Sequence, residues 1–171
     1  MTNKASSPIR LFAVDPCPRG FAFAVLEMPA DLVDWGLREV MSDKEGGTLQ
    51  KVNELINHYA PDFIILEDWR HWSSRRCSRI KRLLQSLGDL AKTLGVECRT
   101  ITQEDLRFFW ERMGCRIKDE VAQEIARMFP VLAPRLPPRR RAWMPEDPRI
   151  NIFDTIALAV AFFHMTVADI S

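Results

Sequence analysis

The chain opens with two apolar runs, Ile9 to Val14 and Phe21 to Leu26, separated by Pro16, Pro18 and Gly20. Apolar runs around a Pro/Gly cluster predict a β-hairpin with a short irregular turn. Leu32 to Val40 sets Val33, Trp35, Leu37 and Val40 among polar residues, the pattern of a third, partly exposed strand. From Thr48 to Tyr59 the period changes: Leu49, Val52, Leu55, Ile56 and Tyr59 recur at helical spacing, and Pro61 stops the helix. "PDFIILEDW" then carries a continuous apolar run, Phe63 to Leu66, as expected of a strand covered on both faces and reached by a crossover from the meander. Cys77 to Leu94 presents Ile80, Leu83, Leu84, Leu87, Leu90, Ala91 and Leu94. This is a long amphipathic helix, ended at Gly95 by a left-handed residue.

"VECRTI" alternates as a fifth strand, and Thr102 and Asp105 in "TQED" resemble a capping box opening a helix over Leu106 to Met113. Ile117 to Phe129 reads as a further helix closed by Pro130. Residues 130–150 hold Pro130, Pro134, Pro137, Pro138, Pro145 and Pro148 with the run Arg139, Arg140, Arg141, a loop composition. The last helix, Asn151 to Val167, is apolar almost all round from Ile156 to Phe163 and is expected to be buried. The predicted fold class is therefore α/β: a mixed five-stranded sheet, an antiparallel meander of three strands followed by two parallel strands, flanked by helices. A single domain over residues 1–171 is expected, with residues 1–8 flexible.

Composition narrows the function. With 47% hydrophobic and 27% charged residues and a net charge of +1, the chain has a soluble-domain balance and no global basic signature, so any nucleic-acid contact must come from local clusters. There is no leader-like segment and no run of about 18 apolar residues, which predicts a cytoplasmic protein with no membrane partner. Cys17, Cys77, Cys98 and Cys115 fit neither a zinc pattern nor a disulfide framework and are expected to be reduced thiols. His58, His71 and His164 do not pair with them at ligand spacing. No glycine-rich phosphate cradle follows Asp15, so no nucleotide cofactor is expected.

Three carboxylates stand out by position. Asp15 ends the first strand, Glu67 ends the fourth, and Asp154 falls in the first turn of the last helix. If the first and fourth strands are neighbours and the last helix packs across them, these side chains converge at one rim of the sheet. Three converging carboxylates with no nearby base need compensation, and a divalent cation is the expected source. Mg2+ or Mn2+ suits oxygen ligands, and a pair of such ions supports phosphodiester cleavage.

The segments "FAVDPCPRGFAFAVL", "PDFIILEDW", "IKDEVAQEIARMF" and "NIFDTIALAVAFFH", in this order, resemble the RuvC-type Holliday junction resolvases of the ribonuclease-H-like superfamily over residues 9–166. The resemblance implies that Asp15, Glu67 and Asp154 are metal-binding catalytic carboxylates, and that Lys118 stands near the scissile phosphate. It also implies a homodimer acting on branched DNA. Two positions depart from the family pattern. Asn151 stands where an acid or histidine is usual and supplies an oxygen but no charge, and Cys17 replaces the glycine expected after Asp-Pro.

Local charge supports a nucleic-acid partner. Arg70, Arg75, Arg76, Arg79, Lys81 and Arg82 follow Glu67 with no acidic residue among them, a composition suited to backbone phosphates. Trp69 and Trp72 interrupt the stretch and are candidates for stacking on unpaired bases. Arg135, Arg139, Arg140, Arg141 and Arg149, with Trp143 among them, form a second candidate strip in the Pro-rich loop. The reading these features support first is a metal-dependent, structure-specific endodeoxyribonuclease cleaving branched DNA. The alternatives are a catalytically weakened relative that binds or assembles on nucleic acid, and an RNA-processing nuclease of the same superfamily.

Overall fold

The computed structural model describes residues 7–29 and 31–168; residues 1–6 of the segment expected to be flexible lie outside that range. Strands β1 (Ile9–Cys17), β2 (Gly20–Met28) and β3 (Asp31–Glu39) are followed by helix α1 (Lys44–Tyr59), β4 (Phe63–Glu67), α2 (Ser78–Thr93) and β5 (Glu97–Ile101). Helices α3 (Gln103–Arg112), α4 (Lys118–Met128) and α5 (Ile150–Ala168) complete the order. The sheet runs β3-β2-β1-β4-β5. Its first three strands are antiparallel, and β4 and β5 add in parallel beside β1, as the element order predicts.

Parity along β1 divides the core. Leu11 and Ala13 face a layer built by α5 with α3 and α4, whereas Phe12 and Val14 face α1 and α2. On β4, Ile65 joins the first layer and Ile64 and Leu66 the second. Alternation of this kind is the period-2 geometry of a strand covered on both faces. Small residues let α5 lie close to the sheet: Ala157, Ala159 and Ala161 are buried against a face that includes Ala13 and Ala24.

Local chemistry sets the element ends. Pro18 and Arg19 alone join β1 to β2, since Cys17 pairs with Gly20. A Cβ on Gly20 would stand 1.9 Å from the Arg38 carbonyl oxygen, so the β2–β3 approach excludes any side chain there. Gly95 has φ +69° beyond the α2 C-terminus, and the Val96 amide donates to the Ala91 carbonyl, the left-handed closure the sequence predicts. Thr102 Oγ1 accepts from the Asp105 amide at 3.0 Å, the predicted cap, and α3 begins at Gln103, three residues before the first apolar residue of its pattern.

Two boundaries differ from expectation. Helix α1 starts at Lys44 rather than Thr48, because Asp43 caps it by accepting from the Gly46 amide, and Glu45, Gly46 and Gly47 carry no apolar period to read. The Pro-rich segment is a 3-10 turn over Pro130–Arg135 before it becomes irregular, with Leu132 fully buried as its anchor. All four cysteines are free thiols. Among the described residues no helix is long and apolar enough to cross a membrane.

Phe153 is fully buried on α5. Phe153→Ala should lower unfolding free energy by about 3–5 kcal/mol, read as a shift of the denaturant midpoint at unchanged slope. A loss under about 1 kcal/mol would mean that α5 is not packed on the sheet as described.

Candidate active site

The convergence of the carboxylates follows from strand direction and parity. β1 and β4 are parallel with Leu11 opposite Phe63 and Ala13 opposite Ile65; carried two residues on, that register sets Asp15 beside Glu67. Both share the parity of Ala13 and Ile65, so both point to the α5 side. Helix α5 crosses there with Asn151, Asp154, Ala157 and Leu158 on one stripe, the i, i+3, i+7 relation of a helix face. Asp15, Glu67, Lys118, Asn151 and Asp154 thus line one cleft of about 860 Å3, together with Trp72, Arg75, Arg76, Arg107, Arg116 and Glu146. β1 continues two residues past Asp15 to Cys17, so Asp15 sits within the strand, at the level where β4 stops.

The charges in this cleft are already met, and not by the expected agent. Asp15 and Glu67 are buried, 7% and 4% exposed. The Arg76 guanidinium bridges them, donating from Nη2 to Asp15 Oδ1 at 2.5 Å and from Nε to Glu67 Oε2 at 2.7 Å. Its Nη1 donates to the Pro16 carbonyl at 3.2 Å, and Ser74 Oγ donates to Glu67 Oε1 at 3.2 Å. The expectation of carboxylates with no nearby base is corrected here: the chain supplies a cation of its own. In this resting arrangement Arg76, expected among the phosphate-binding residues, is engaged by Asp15, Glu67 and the Pro16 carbonyl instead. A guanidinium matches this role because its planar fork serves two carboxylates at once.

Across the cleft, Lys118 Nζ donates to Asp154 Oδ2 at 3.0 Å and to Glu146 Oε1 at 2.8 Å. Lys118 is the first residue of α4, which the Glu120 carboxylate fixes by accepting from the Arg116 amide at 2.6 Å. Glu146 is a fourth acid of the site that the sequence pattern does not mark, since it lies in the irregular Pro-rich segment with no period to place it.

Burial pushes the Asp15 carboxyl up to about 6, with Arg76 opposing and Asp154 and Glu67 reinforcing the rise. Burial likewise raises Asp154, against the lowering effect of Lys118. Burial works against the charge on Arg76, but Asp15 and Glu67 outweigh it and hold the guanidinium protonated.

The basic residues separate into two groups. Trp72, 79% exposed, and Arg75 stand on the cleft wall. Trp69 instead lies partly buried among the α1/α2 core residues, with Arg70 stacked on its ring at 4.8 Å. Trp69 thus stands apart from the cleft wall that carries Trp72. Arg70 also pairs with Asp68. Arg79 and Arg82 are exposed on α2 outside the cleft lining, and Arg139 and Arg141 are exposed in the Pro-rich segment. Arg140 is tied down there, its amide donating to Asp119 Oδ2 and its Nε to the Met144 carbonyl. Arg107 and Arg116, which also line the cleft, stand outside both basic clusters of the sequence and become visible only once α3 and α4 are folded.

The donor set suits a hard divalent cation: three carboxylates and one amide oxygen, with a like-charge repulsion that raises Asp15. Yet among the described residues no three His, Cys, Asp or Glu side chains stand close enough together to hold an ion. In this arrangement Arg76 holds Asp15 and Glu67 on the sheet side, and Lys118 holds Asp154 on the helix side.

The fold is that of the RuvC-type resolvases. The structure of RuvC from Thermus thermophilus superposes with a TM-score of 0.67 at 13% identity, covering 94% of this chain and 97% of that one. T. thermophilus RuvC in complex with a Holliday junction substrate gives 0.64 at 14% identity, over 94% and 96%. The yeast mitochondrial Holliday junction resolvase Ydc2 gives 0.58 at 10% identity, over 91% of this chain and 78% of that one. No protein-family model matches the chain, and no curated protein matches it by sequence.

A carboxyl whose pKa is higher folded than unfolded holds its proton more tightly in the folded state. Its contribution to stability is full below about pH 4 and is lost as pH rises to about 6. Asp15→Asn mimics the protonated form, so wild type should lose up to about 3 kcal/mol relative to the variant across that window. Unfolding curves at stepped pH read the difference, and parallel pH profiles would contradict the assignment.

Proposed function

We propose that this protein is a metal-dependent, structure-specific endodeoxyribonuclease that hydrolyses phosphodiesters of branched DNA such as Holliday junctions. The observation that carries the reading is the gathering of Asp15, Glu67 and Asp154 in one cleft beside exposed Trp72 and Arg75. A structural neighbour solved with a Holliday junction supports the choice of substrate. Asp15, Glu67, Asp154 and the Asn151 amide oxygen are the residues that would hold Mg2+ or Mn2+, in a one- or two-ion site. Such an ion supplies Lewis-acid stabilisation of the phosphoryl oxygens and lowers the pKa of a bound water.

The chain's own side chains have separate tasks. Lys118 presents a compact positive charge at the cleft wall, suited to charge developing on the phosphate in the transition state. Arg75, Arg107 and Arg116 offer phosphate contacts that fix register without reading sequence. Trp72 supplies a stacking face for a base left unpaired at a branch. A homodimer would present two such clefts to the symmetry-related strands of a four-way junction.

Purified protein with Mg2+ or Mn2+ should nick a labelled four-way junction. Asp154→Asn should lower cleavage about 100-fold or more while still retaining the junction in a gel-shift assay. Trp72→Ala should weaken junction binding by about 1–3 kcal/mol and leave linear-duplex binding nearly unchanged.

A second reading, a RuvC-like protein that binds or assembles on branched DNA without cutting it, draws on Asn151 in place of an acid and on Arg76 occupying two carboxylates. Tight junction binding with no cleavage under either metal would establish that reading instead. Preferential cutting of duplex RNA or an RNA/DNA hybrid would assign the site to RNA processing.

A further inference from the structure

Arg76 and a divalent cation compete for the same oxygens. The guanidinium takes Asp15 Oδ1 and Glu67 Oε2, the two acids that β1 and β4 hold rigidly. A divalent ion on the same carboxylates would lie close to the guanidinium, and the repulsion between the two cations in this partly buried site sets them in competition. The arginine is not walled in: its side chain is 29% exposed, against 10% and 6% for its partners. It sits one residue before the cap of α2, so its backbone is anchored while its long side chain can rotate toward the cleft mouth. There it would meet Arg75 and Trp72, which line the same opening.

Resting on the nuclease reading above, we infer that Arg76 is a resident cation that keeps the cleft closed to divalent metal in the free protein, and that a DNA phosphate releases it. A phosphate is the other bidentate partner that suits a guanidinium. Arg75, Arg107 and Arg116 draw phosphates to this opening. As Arg76 turns to the backbone, Asp15 and Glu67 are left as paired buried carboxylates, an unfavourable state that binding of a divalent ion relieves. DNA and metal therefore bind with positive coupling, and the metal is loaded where a strand is already in place. Coupling of this kind is reciprocal: whatever factor DNA adds to metal affinity, metal must add to DNA affinity.

Mn2+ binding to the DNA-free protein, counted by the electron paramagnetic resonance signal of free Mn2+, tests the competition. Arg76→Gln should bind Mn2+ roughly 10- to 100-fold more tightly than wild type. Arg75→Gln removes the same charge from the same cleft without freeing either carboxylate and should change affinity less than about twofold. Arg76→Lys keeps the charge but loses the two-carboxylate bridge and should fall between; it carries the test if Arg76→Gln does not fold. In a second arm, Mn2+ should tighten wild-type binding to a labelled linear duplex, read by fluorescence anisotropy, and should have no such effect on Arg76→Gln.

Equal Mn2+ affinity in wild type and Arg76→Gln, or an equal gain from Arg75→Gln, overturns the inference. If wild type still cuts junctions in that case, the nuclease reading stands without it. Absence of Mn2+ binding in every variant overturns the inference as well, and joined to absent cleavage removes the nuclease reading too.

Discussion

Two carboxylates buried side by side cannot both remain ionised without a cation between them, and the cation this chain provides is Arg76. The rest of the cleft is arranged around that constraint. Desolvating a guanidinium and two carboxylates costs several kcal/mol per ion, and only near-ideal geometry with further hydrogen bonds offsets it. The further bonds are present: the Pro16 carbonyl takes one guanidinium N–H, and Ser74 Oγ donates to Glu67. A cluster organised this way contributes little net stability compared with an apolar core of equal volume. Its retention inside an otherwise apolar sheet layer is therefore better accounted for by chemistry than by folding.

The scaffold supplies what the cluster cannot: position. Asp15 and Glu67 are held by strands at the sheet centre, each flanked on both sides by other strands, so their backbones have few ways to move. Parity sends both to the α5 face, and the alanines of α5 bring Asp154 near without a bulky side chain intervening. The opposite face is filled by Phe12, Phe21 and Phe23 with α1 and α2, and its polar contacts, Arg10 with Glu27 and Tyr59 with Asp34, lie away from the acids of the cleft. One consequence is asymmetry in the site. Three elements of the rigid core deliver the acids, whereas the Pro-rich segment and the β4–α2 connection deliver Glu146, Trp72 and Arg75, which surround them.

Much of this is legible in the residue pattern because the pattern is set by local geometry. Period-2 and period-3.6 runs mark the strands and most helices, and Gly95 and Thr102 mark ends through backbone chemistry that neighbours do not alter. Asp15 and Glu67 are visible for the same reason, since each closes an apolar run, whereas Asp154, expected in the first turn of the last helix, lies just beyond it because α5 begins at Ile150. Arg76 is visible as a charge and invisible as a partner, since its ion pair with Asp15 spans 61 positions of sequence and nothing near Arg76 distinguishes it from Arg75. Trp69 shows the converse. Its place beside Trp72 suggests a shared role, but one turns into the space over Gly88 and the other into solvent. Only tertiary packing separates them. Glu146 has no signal at all, because irregular chain carries no period from which to infer a direction.

The cleft divides into two neutralised halves of different stiffness. On the sheet side a partly buried arginine bridges two buried acids; on the helix side a lysine with a side chain 59% exposed bridges Asp154 and Glu146, 24% and 44% exposed. Electrostatic attraction is weakened by water and salt on the second side far more than on the first. Lys118 is therefore the readily mobilised charge, able to leave Glu146 for a phosphate at small cost, while Arg76 moves only when something replaces it. Asn151 fits this division. A carboxylate at that position would add a further negative charge next to Asp154, which burial already drives toward protonation. An amide keeps an oxygen aimed at the cleft and leaves the charge balance of the resting protein intact, so the substitution that looks like a loss in the sequence is consistent with a site that supplies its own cations.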